Sequence, residues 1–458
     1  MDHEERNREL MKADIKYLWH PFTQMREYGR EKPLIIEEGK GCILTDIEGN
    51  SYIDGVSSLW ACVHGHRKEK LDRALKEQVD RIAHSTLLGL ANIPAIRLAE
   101  KLVNIAPGGL TRVFYSDNGS TAVEAALKMA FQYHQQSPAG KPAKKKFIYF
   151  ANAYHGDTIG SVSLGGIDLF HSMYRDLLFP AYRAISPYCY RCAFNLKYPS
   201  CRFVCLVQLE EIMKSHGHEI AALIIEPLVQ GAGGILVHPE GYLKKVRELC
   251  TRYGIFMIAD EVAVGFGRTG KMFACERESV SPDMMSLAKG LSGGYLPLAA
   301  TLVTEEVYEG FLGEYSEFKT FFHGHTFTGN PLACAVALAN IEIFEEERTL
   351  EILAGKIALL EKKLESFKGL KHVGDVRQCG FMAGIELVAD RRTKEAYPPG
   401  MRIGHKVIME ARKRSVIIRP LGDIIVLMPP LSITEDEIDR LCRAAYESIL
   451  AVTENREA

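Results

Sequence analysis

The sequence predicts an α/β protein whose core is a mostly parallel sheet. Helix-like and strand-like segments alternate through the middle of the chain, the order that builds parallel strands with crossover helices. Residues 221–225 and 255–259 are short, continuous apolar runs without alternation, as expected of strands buried on both faces. An acid follows each run, Glu226 and Asp260. In open α/β sheets ligands gather at that end of a strand, although an acid there is also an ordinary turn or cap residue.

Taken in order, a helix is expected from Thr121, with Val123, Ala126, Leu127, Ala130 and Phe131 at the spacing of one helical face. Residues 147–151 then read as a strand. The Lys- and Pro-containing stretch 141–146 reads as a solvated loop between the two. Beyond about Asn330 the pattern changes to long amphipathic helices, strand-like stretches at 380–387 and 424–428, and a last helix from Glu435. That is the pattern of a smaller α+β domain. No internal repeat or low-complexity segment is present.

Composition narrows the function classes. With 56 Lys plus Arg against 58 Asp plus Glu, the net charge of −2 gives no footprint for a nucleic-acid backbone. At 458 residues and 47% hydrophobic content, a soluble globular protein with a sizeable core is expected. No stretch approaches ~18 uninterrupted apolar residues, so no membrane span is expected. Residues 1–16 are dense in both charges with no apolar core, unlike a secretory signal or a transit peptide. Eleven cysteines, an odd number, fit a reducing cytoplasm.

Four sets of residues carry the chemistry. Ser116-Asp117-Asn118-Gly119-Ser120 is a small turn opening a helix, where free amides and the helix dipole bind phosphate, or where the turn is merely a cap. It is neither a Walker loop nor a dinucleotide fingerprint. Tyr154-His155-Gly156-Asp157 places an aromatic beside a strand end, able to stack on a planar cofactor. Asp260-Glu261-Val262 supplies an acid. Lys289, after the largely apolar 284–288, is a candidate Schiff-base nucleophile if partly desolvated. Together they are the parts that hold pyridoxal 5′-phosphate: an anchor for its phosphate, an aromatic for its ring, an acid for its ring nitrogen and an amine for its aldehyde.

The chain resembles the fold-type I pyridoxal-phosphate enzymes, specifically the class III or ω-aminotransferase branch. The resemblance runs from about Tyr17 to the last helix. It is carried by Phe256-Met257-Ile258-Ala259-Asp260-Glu261-Val262, Gly265-Phe266-Gly267-Arg268-Thr269-Gly270 and Ala288-Lys289-Gly290. It implies a large domain with a mostly parallel seven-stranded sheet, taken as residues 66–330, flanked by parts 1–65 and 331–458 of a smaller one. By the same resemblance Lys289 bonds the cofactor aldehyde and Asp260 pairs with the ring nitrogen. Val262 and Tyr154 stand at the two ring faces, and Gly119 and Ser120 hold the phosphate. A homodimer is implied, with the phosphate also touched by Thr326 of the partner subunit. Gly324 and His325 lie in the same stretch and are carried over as substrate and cofactor residues.

A narrower resemblance, to the biotin-pathway branch that aminates 8-amino-7-oxononanoate at its ketone, is carried by three stretches. They are Leu18 to Met25, Asp54 to Trp60 continued by His64-Gly65-His66, and Arg419-Pro420 with Leu427-Met428-Pro429-Pro430. It implies that Arg419 takes the substrate carboxylate, a task for which a planar guanidinium is suited, and that Phe22, Leu59 and Trp60 line the pocket. Relatives that use S-adenosylmethionine carry a tryptophan at Leu59 and tyrosines at Phe22 and Val426. Their absence here, at three positions expected to border the pocket, is similar to members that use L-lysine as amino donor. Another ω-aminotransferase acting on a diamine or ω-amino acid is the alternative. Cys189, Cys192, Cys201 and Cys205 form a C-x-x-C plus C-x-x-x-C arrangement, a candidate zinc or iron–sulfur site or simply free cysteines. No metal ligand is assigned.

Overall fold

In a computed structural model the structure describes residues 3–454, so the first two residues of the charged N-terminal segment lie outside the described residues. The central sheet is built from seven strands: β1 (Leu110–Ser116), β2 (Lys146–Phe150), β3 (Tyr182–Ala184), β4 (Ile220–Ile225), β5 (Phe256–Asp260), β6 (Met284–Leu287) and β7 (Ala299–Thr304). Their order is β1-β7-β6-β5-β4-β2-β3. All neighbours from β6 to β3 pair in parallel, and β7 alone runs against the rest. The apolar runs read from the sequence are the central strands β4 and β5, every residue of which is buried. Both faces are covered, which is why alternation is absent.

Register decides what meets at the strand ends. Ala259 pairs with Ile225 and Asp260 with Ser286, so Glu226, Asp260 and Lys289 emerge along one edge of the sheet. The helix Gly119–Gln136 follows β1 directly and buries Val123, Ala126, Leu127 and Ala130 as its periodicity predicts. Phe131, expected on that face, is exposed. The 141–146 loop departs further from its reading as solvated. Lys144 is buried and its Nζ donates to the carbonyls of Ile220 and Gly254, both at 2.8 Å. A charge run in sequence hid one lysine that satisfies backbone groups.

The chain's two ends meet in one small sheet: Ser51–Asp54 pairs in parallel with Val416–Ile417. A second sheet joins Val373–Cys379, Met382–Leu387, Ile424–Leu427 and Arg419–Leu421, close to the expected C-terminal strands. The last helix is Glu435–Thr453, with Thr434 and Glu437 forming a reciprocal capping box. Among the described residues no helix is long and apolar enough to cross a membrane.

Candidate active site

A cavity of about 710 Å³ opens at the edge where the parallel strands end. Its wall includes Trp60, Asp117, Gly119, Ser120, Tyr154, His155, Glu226, Asp260, Val262 and Lys289. Six of the predicted residues, Gly119, Ser120, Tyr154, Asp260, Val262 and Lys289, are thus brought together from four separate strand ends, with Trp60 closing the other side.

At the helix N-terminus Asn118 Oδ1 accepts from the Thr121 amide at 3.1 Å and the Ala122 amide reaches the Asn118 carbonyl at 3.0 Å. The amides of Gly119 and Ser120 have no acceptor among the described residues and lie at the positive end of the dipole. The site requires glycine here: a Cβ on Gly119 would stand 2.7 Å from Val262 Cγ1. At Gly156, where φ is +120°, a Cβ would stand 1.9 Å from Ser120 Oγ. The backbone around the cradle therefore approaches closer than any side chain permits.

Asp260 is buried. Its Oδ2 lies 2.6 Å from His155 Nδ1, and its Oδ1 accepts from the Val262 amide at 3.0 Å. His155 Nε2 is buried without a partner among the described residues. Lys289 is partly buried, and burial, reinforced by the charges of Arg268 and Arg419, pulls its amine pKa below the ordinary value against the pull of Asp260 and Glu226. Its Nζ stands 4.8 Å from the centre of the Trp60 ring. Tyr154 Oη donates to Asp157 at 2.6 Å, and burial raises the phenol pKa.

Glu226 is the residue that sequence reasoning left as a turn acid. It is buried in the cavity wall, accepting from the Tyr154 amide at 3.1 Å and the Gly231 amide at 2.8 Å. Burial pushes its pKa up to about 7. Its place at the end of β4, beside Asp260 at the end of β5, was the available signal.

A neighbouring cavity of about 530 Å³ is lined by Phe22, Leu59 and Arg419. Phe22 meets Tyr154 edge-on with ring centres 6.5 Å apart, linking the two spaces. Arg419 is partly buried, its pKa lowered by that burial, and no carboxylate among the described residues pairs with it. Val426, expected to border this pocket, does not: it is paired with Arg419 across the sheet but fully buried in the core.

The segment carrying Leu59 and Trp60 is a left-handed turn. Ser57, Ser58, Leu59 and Trp60 have φ of 53°, 46°, 74° and 69°, and the Trp60 amide closes on the Val56 carbonyl at 2.8 Å. Each non-glycine residue in that conformation costs roughly 1–2 kcal/mol. On its far side Arg268, fully buried, donates to the carbonyls of Trp60 (3.3 Å), Cys62 (3.0 Å) and Pro429 (2.7 Å). All three are neutral acceptors, and burial lowers its pKa to about 10.

Gly324 and Thr326 are exposed and lie outside both cavities, while His325 Nδ1 is 2.7 Å from Asp117 in the main cavity wall. Cys189, Cys192 and Cys201 are free thiols in one loop, and Cys205 is a free thiol in the first turn of the helix Val204–His216 that follows it. No group of three or more candidate ligands among the described residues is placed to hold a metal ion.

A planar ring with a protonated nitrogen at one end, a phosphate at the other and an aldehyde beside them matches the cavity: a buried carboxylate, an amide cradle, two facing side chains and a partly desolvated lysine. The fit rests on Gly119 and Gly156, where a Cβ would fill the cradle.

Comparisons agree. The family model described as aminotransferase class-III matches residues 25–449. The adenosylmethionine-8-amino-7-oxononanoate aminotransferase of Nitratidesulfovibrio vulgaris is 59% identical over 98% of this chain and 83% of its own length. The protein of the same name from Geobacter sulfurreducens is 58% identical over 96% and 97%. Among solved structures, that enzyme from Methanocaldococcus jannaschii superposes with a TM-score of 0.93 at 48% identity, covering 97% of this chain and 99% of its own. An omega transaminase from Pseudomonas jessenii in complex with PMP superposes at 0.92 and 36% identity, covering 97% and 98%. The chain belongs to the class-III aminotransferases and is a pyridoxal-phosphate-dependent aminotransferase.

Proposed function

We propose that this aminotransferase aminates 8-amino-7-oxononanoate to 7,8-diaminononanoate in biotin synthesis. The observation that carries the reading is Arg419: a half-buried guanidinium with no carboxylate partner among the described residues, one cavity away from Lys289. An acceptor with its ketone at Lys289 and a carboxylate at the end of an apolar chain fits that arrangement. Relatives bearing this activity in their names support it at 46% to 59% identity.

Bound pyridoxal 5′-phosphate supplies an aldehyde and an electron-withdrawing ring that stabilises negative charge on the carbon beside the exchanged nitrogen. The chain's own residues do the rest. The Gly119 and Ser120 amides, with the helix dipole, bind the phosphate dianion. Val262 and Tyr154 confine the ring from two sides, and Asp260, oriented by His155 Nδ1 and the Val262 amide, accepts from the ring N–H. Lys289 Nζ is the amine that would bond the cofactor's aldehyde and, when free, would hold and move a proton at the reacting carbons. Its lowered amine pKa keeps more of it in the neutral, proton-accepting form. Leu59 and Phe22 give the acceptor's chain an apolar wall, and Trp60 stands over the reacting amine.

The donor is read from the same wall. The relatives' name specifies S-adenosylmethionine. Leu59 and Phe22 offer less stacking surface and one phenol fewer than an adenine or sulfonium would use, which favours L-lysine. With Val426 buried, that reading stands on two positions and not three.

The working unit is a homodimer in the cytoplasm, with 1–65 and 331–458 forming the small domain around the 66–330 cofactor domain. Thr326 of the partner subunit completes the phosphate site, and Gly324 and His325 of the same stretch are taken as substrate and cofactor residues. Phe322 and Phe327, exposed on that same stretch, favour burial against the partner. Neither nucleic acid nor a membrane is a partner. The test is product formation with 8-amino-7-oxononanoate and each donor separately. Turnover of diamines or ω-amino acids without the oxononanoate sinks the acceptor reading, and spectral conversion of the enzyme by S-adenosylmethionine but not lysine sinks the donor reading.

A further inference from the structure

We propose that Asp54 is a positioning residue for the transamination: it holds Ser57–Trp60 in its left-handed turn and so sets the Trp60 ring against Lys289 Nζ. The inference rests on the role proposed above for Lys289.

L-residues avoid this conformation, and only glycine enters it freely. Four consecutive residues adopt it here, and none is a glycine. Something must therefore hold the backbone: Ser57 Oγ donates to the Met428 carbonyl at 2.6 Å and Arg268 to the Trp60 carbonyl at 3.3 Å, while the Val56 and Ser58 groups at the start of the turn converge on one side chain. Asp54 is fully buried and its carboxylate accepts four hydrogen bonds: the Val56 amide at 3.3 Å, the Ser58 amide at 2.9 Å, Ser58 Oγ at 2.8 Å and His66 Nε2 at 2.9 Å. Two of the four come from Ser58, inside the turn, and one from Val56, the residue whose carbonyl closes it. Burial pulls the Asp54 carboxyl pKa up, but the bonds from His66 and Ser58 hold it below the ordinary value, so it is an acceptor at every site.

What the turn accomplishes lies at its other end. Trp60 is buried, its ring centre 4.8 Å from Lys289 Nζ and its Nε1 without a partner among the described residues. Asp54 lines neither cavity. It acts on the site only through the chain between. A backbone that relaxed toward right-handed geometry would turn the Trp60 side chain away from the lysine. Of the remaining charges that face Lys289, Asp260, Glu226 and Arg419 come from other segments, whereas Arg268 donates to the Trp60 carbonyl and shares in any movement of the turn.

The test uses the holoenzyme and reads two quantities: the pH midpoint of the cofactor's visible absorption, and KM against kcat. An aromatic face favours a cation beside it. Asp54→Ala is expected to lower the midpoint by roughly half a unit to one and a half units, with KM rising more than kcat falls. Asp54→Asn removes the charge but keeps an oxygen for the two amides, and its midpoint is expected to match the unaltered enzyme. Ser58→Pro leaves Asp54 intact and forbids the positive φ by fixing it near −65°. Ser58 is exposed, so this variant answers the question even if Asp54→Ala fails to fold, and it is expected to reproduce the lowered midpoint. An unchanged midpoint in Ser58→Pro overturns the proposal. So does an equal shift in Asp54→Asn and Asp54→Ala, which would be a charge effect acting at a distance. Persistence of the visible band in Lys289→Ala would instead defeat the underlying reading of Lys289, whatever the Asp54 variants do.

Discussion

Substituting Gly119 with alanine tests the cofactor cradle at its tightest point. The added Cβ would lie 2.7 Å from Val262 Cγ1 and 3.2 Å from Cγ2, whereas carbon atoms in contact settle at about 3.5–4.0 Å. The wall must open by about 1 Å. Val262 cannot retreat, because Ala122, Ala288 and Ala299 are fully packed behind it, so the strain is relieved into the cavity, against the ring. Overpacking of this kind costs about 1–3 kcal/mol, or about 5- to 150-fold in cofactor affinity. The assay is a cofactor titration of stripped protein for Gly119→Ala, Val262→Ala and the double variant. Val262→Ala removes both γ carbons, so in that background the Gly119→Ala penalty is expected to fall below about 0.5 kcal/mol, the scatter of independent sites. If Gly119→Ala costs as much with Ala at 262 as with Val, the close approach is not what demands glycine, and the reasoning fails.

Lys289→Ala is expected to abolish the visible band and lower kcat by at least the roughly 10²- to 10⁴-fold that a positioned proton carrier contributes, measured by single-turnover spectra; a variant that keeps the band would remove Lys289 from its role. Arg419→Lys is expected to reduce kcat/KM for 8-amino-7-oxononanoate roughly tenfold or more while leaving its methyl ester little changed, since the loss is that of a bidentate charged contact; equal losses on both substrates would contradict the assignment. Glu226→Gln tests a buried acid whose pKa is raised from 4.5 to about 7. Such a group is neutral in the fold below pH 4.5 and carries its full penalty only above 7, so it erodes stability as pH rises through that window, by roughly 3 kcal/mol in total. Melting temperatures at pH 5 and pH 8 should show the glutamine variant gaining on the unaltered protein at the higher pH, and a gap that does not widen would refute it.

The sheet and its strand-end residues were legible because their signals are local. Runs such as 221–225 and 255–259 declare doubly buried strands by composition alone, and Asp260 and Lys289 follow such runs directly. What failed needed information from elsewhere in the chain. Glu226 was visible as a strand-end acid, but its membership of the cavity depends on the Ala259 to Ile225 register. Val426 sits opposite Arg419 on a paired strand, yet burial of its face is set by the packing of the sheet behind it. Lys144 looked solvated among its neighbours until the carbonyls of Ile220, at the start of β4, and Gly254 reached it. The left-handed turn carries no glycine to announce it, because Asp54 and Arg268 hold from outside what the sequence of the turn itself disfavours.

That division runs through the function as well. The groups facing the cofactor stand at strand ends of one sheet whose register is fixed by the core, so displacing one strand displaces its neighbours and the set is held together as a unit. Phe22, Leu59 and Arg419 come from three separate segments, joined only by their shared cavity. Each can change without disturbing the sheet: Leu59 and Phe22 are largely exposed, and Arg419 lies at the start of a three-residue strand. A change of amino donor therefore requires no change in the residues that hold the cofactor. The physical consequence is that cofactor chemistry is written in contiguous motifs, while donor choice, on the reading proposed above, is written in side chains that only the folded cavity brings together. A Leu59→Trp, Phe22→Tyr double variant puts this to the proof. It is expected to raise kcat/KM for S-adenosylmethionine relative to L-lysine while leaving the visible spectrum and cofactor affinity where they were, and loss of cofactor affinity in that variant would show that the two halves of the site are not separable.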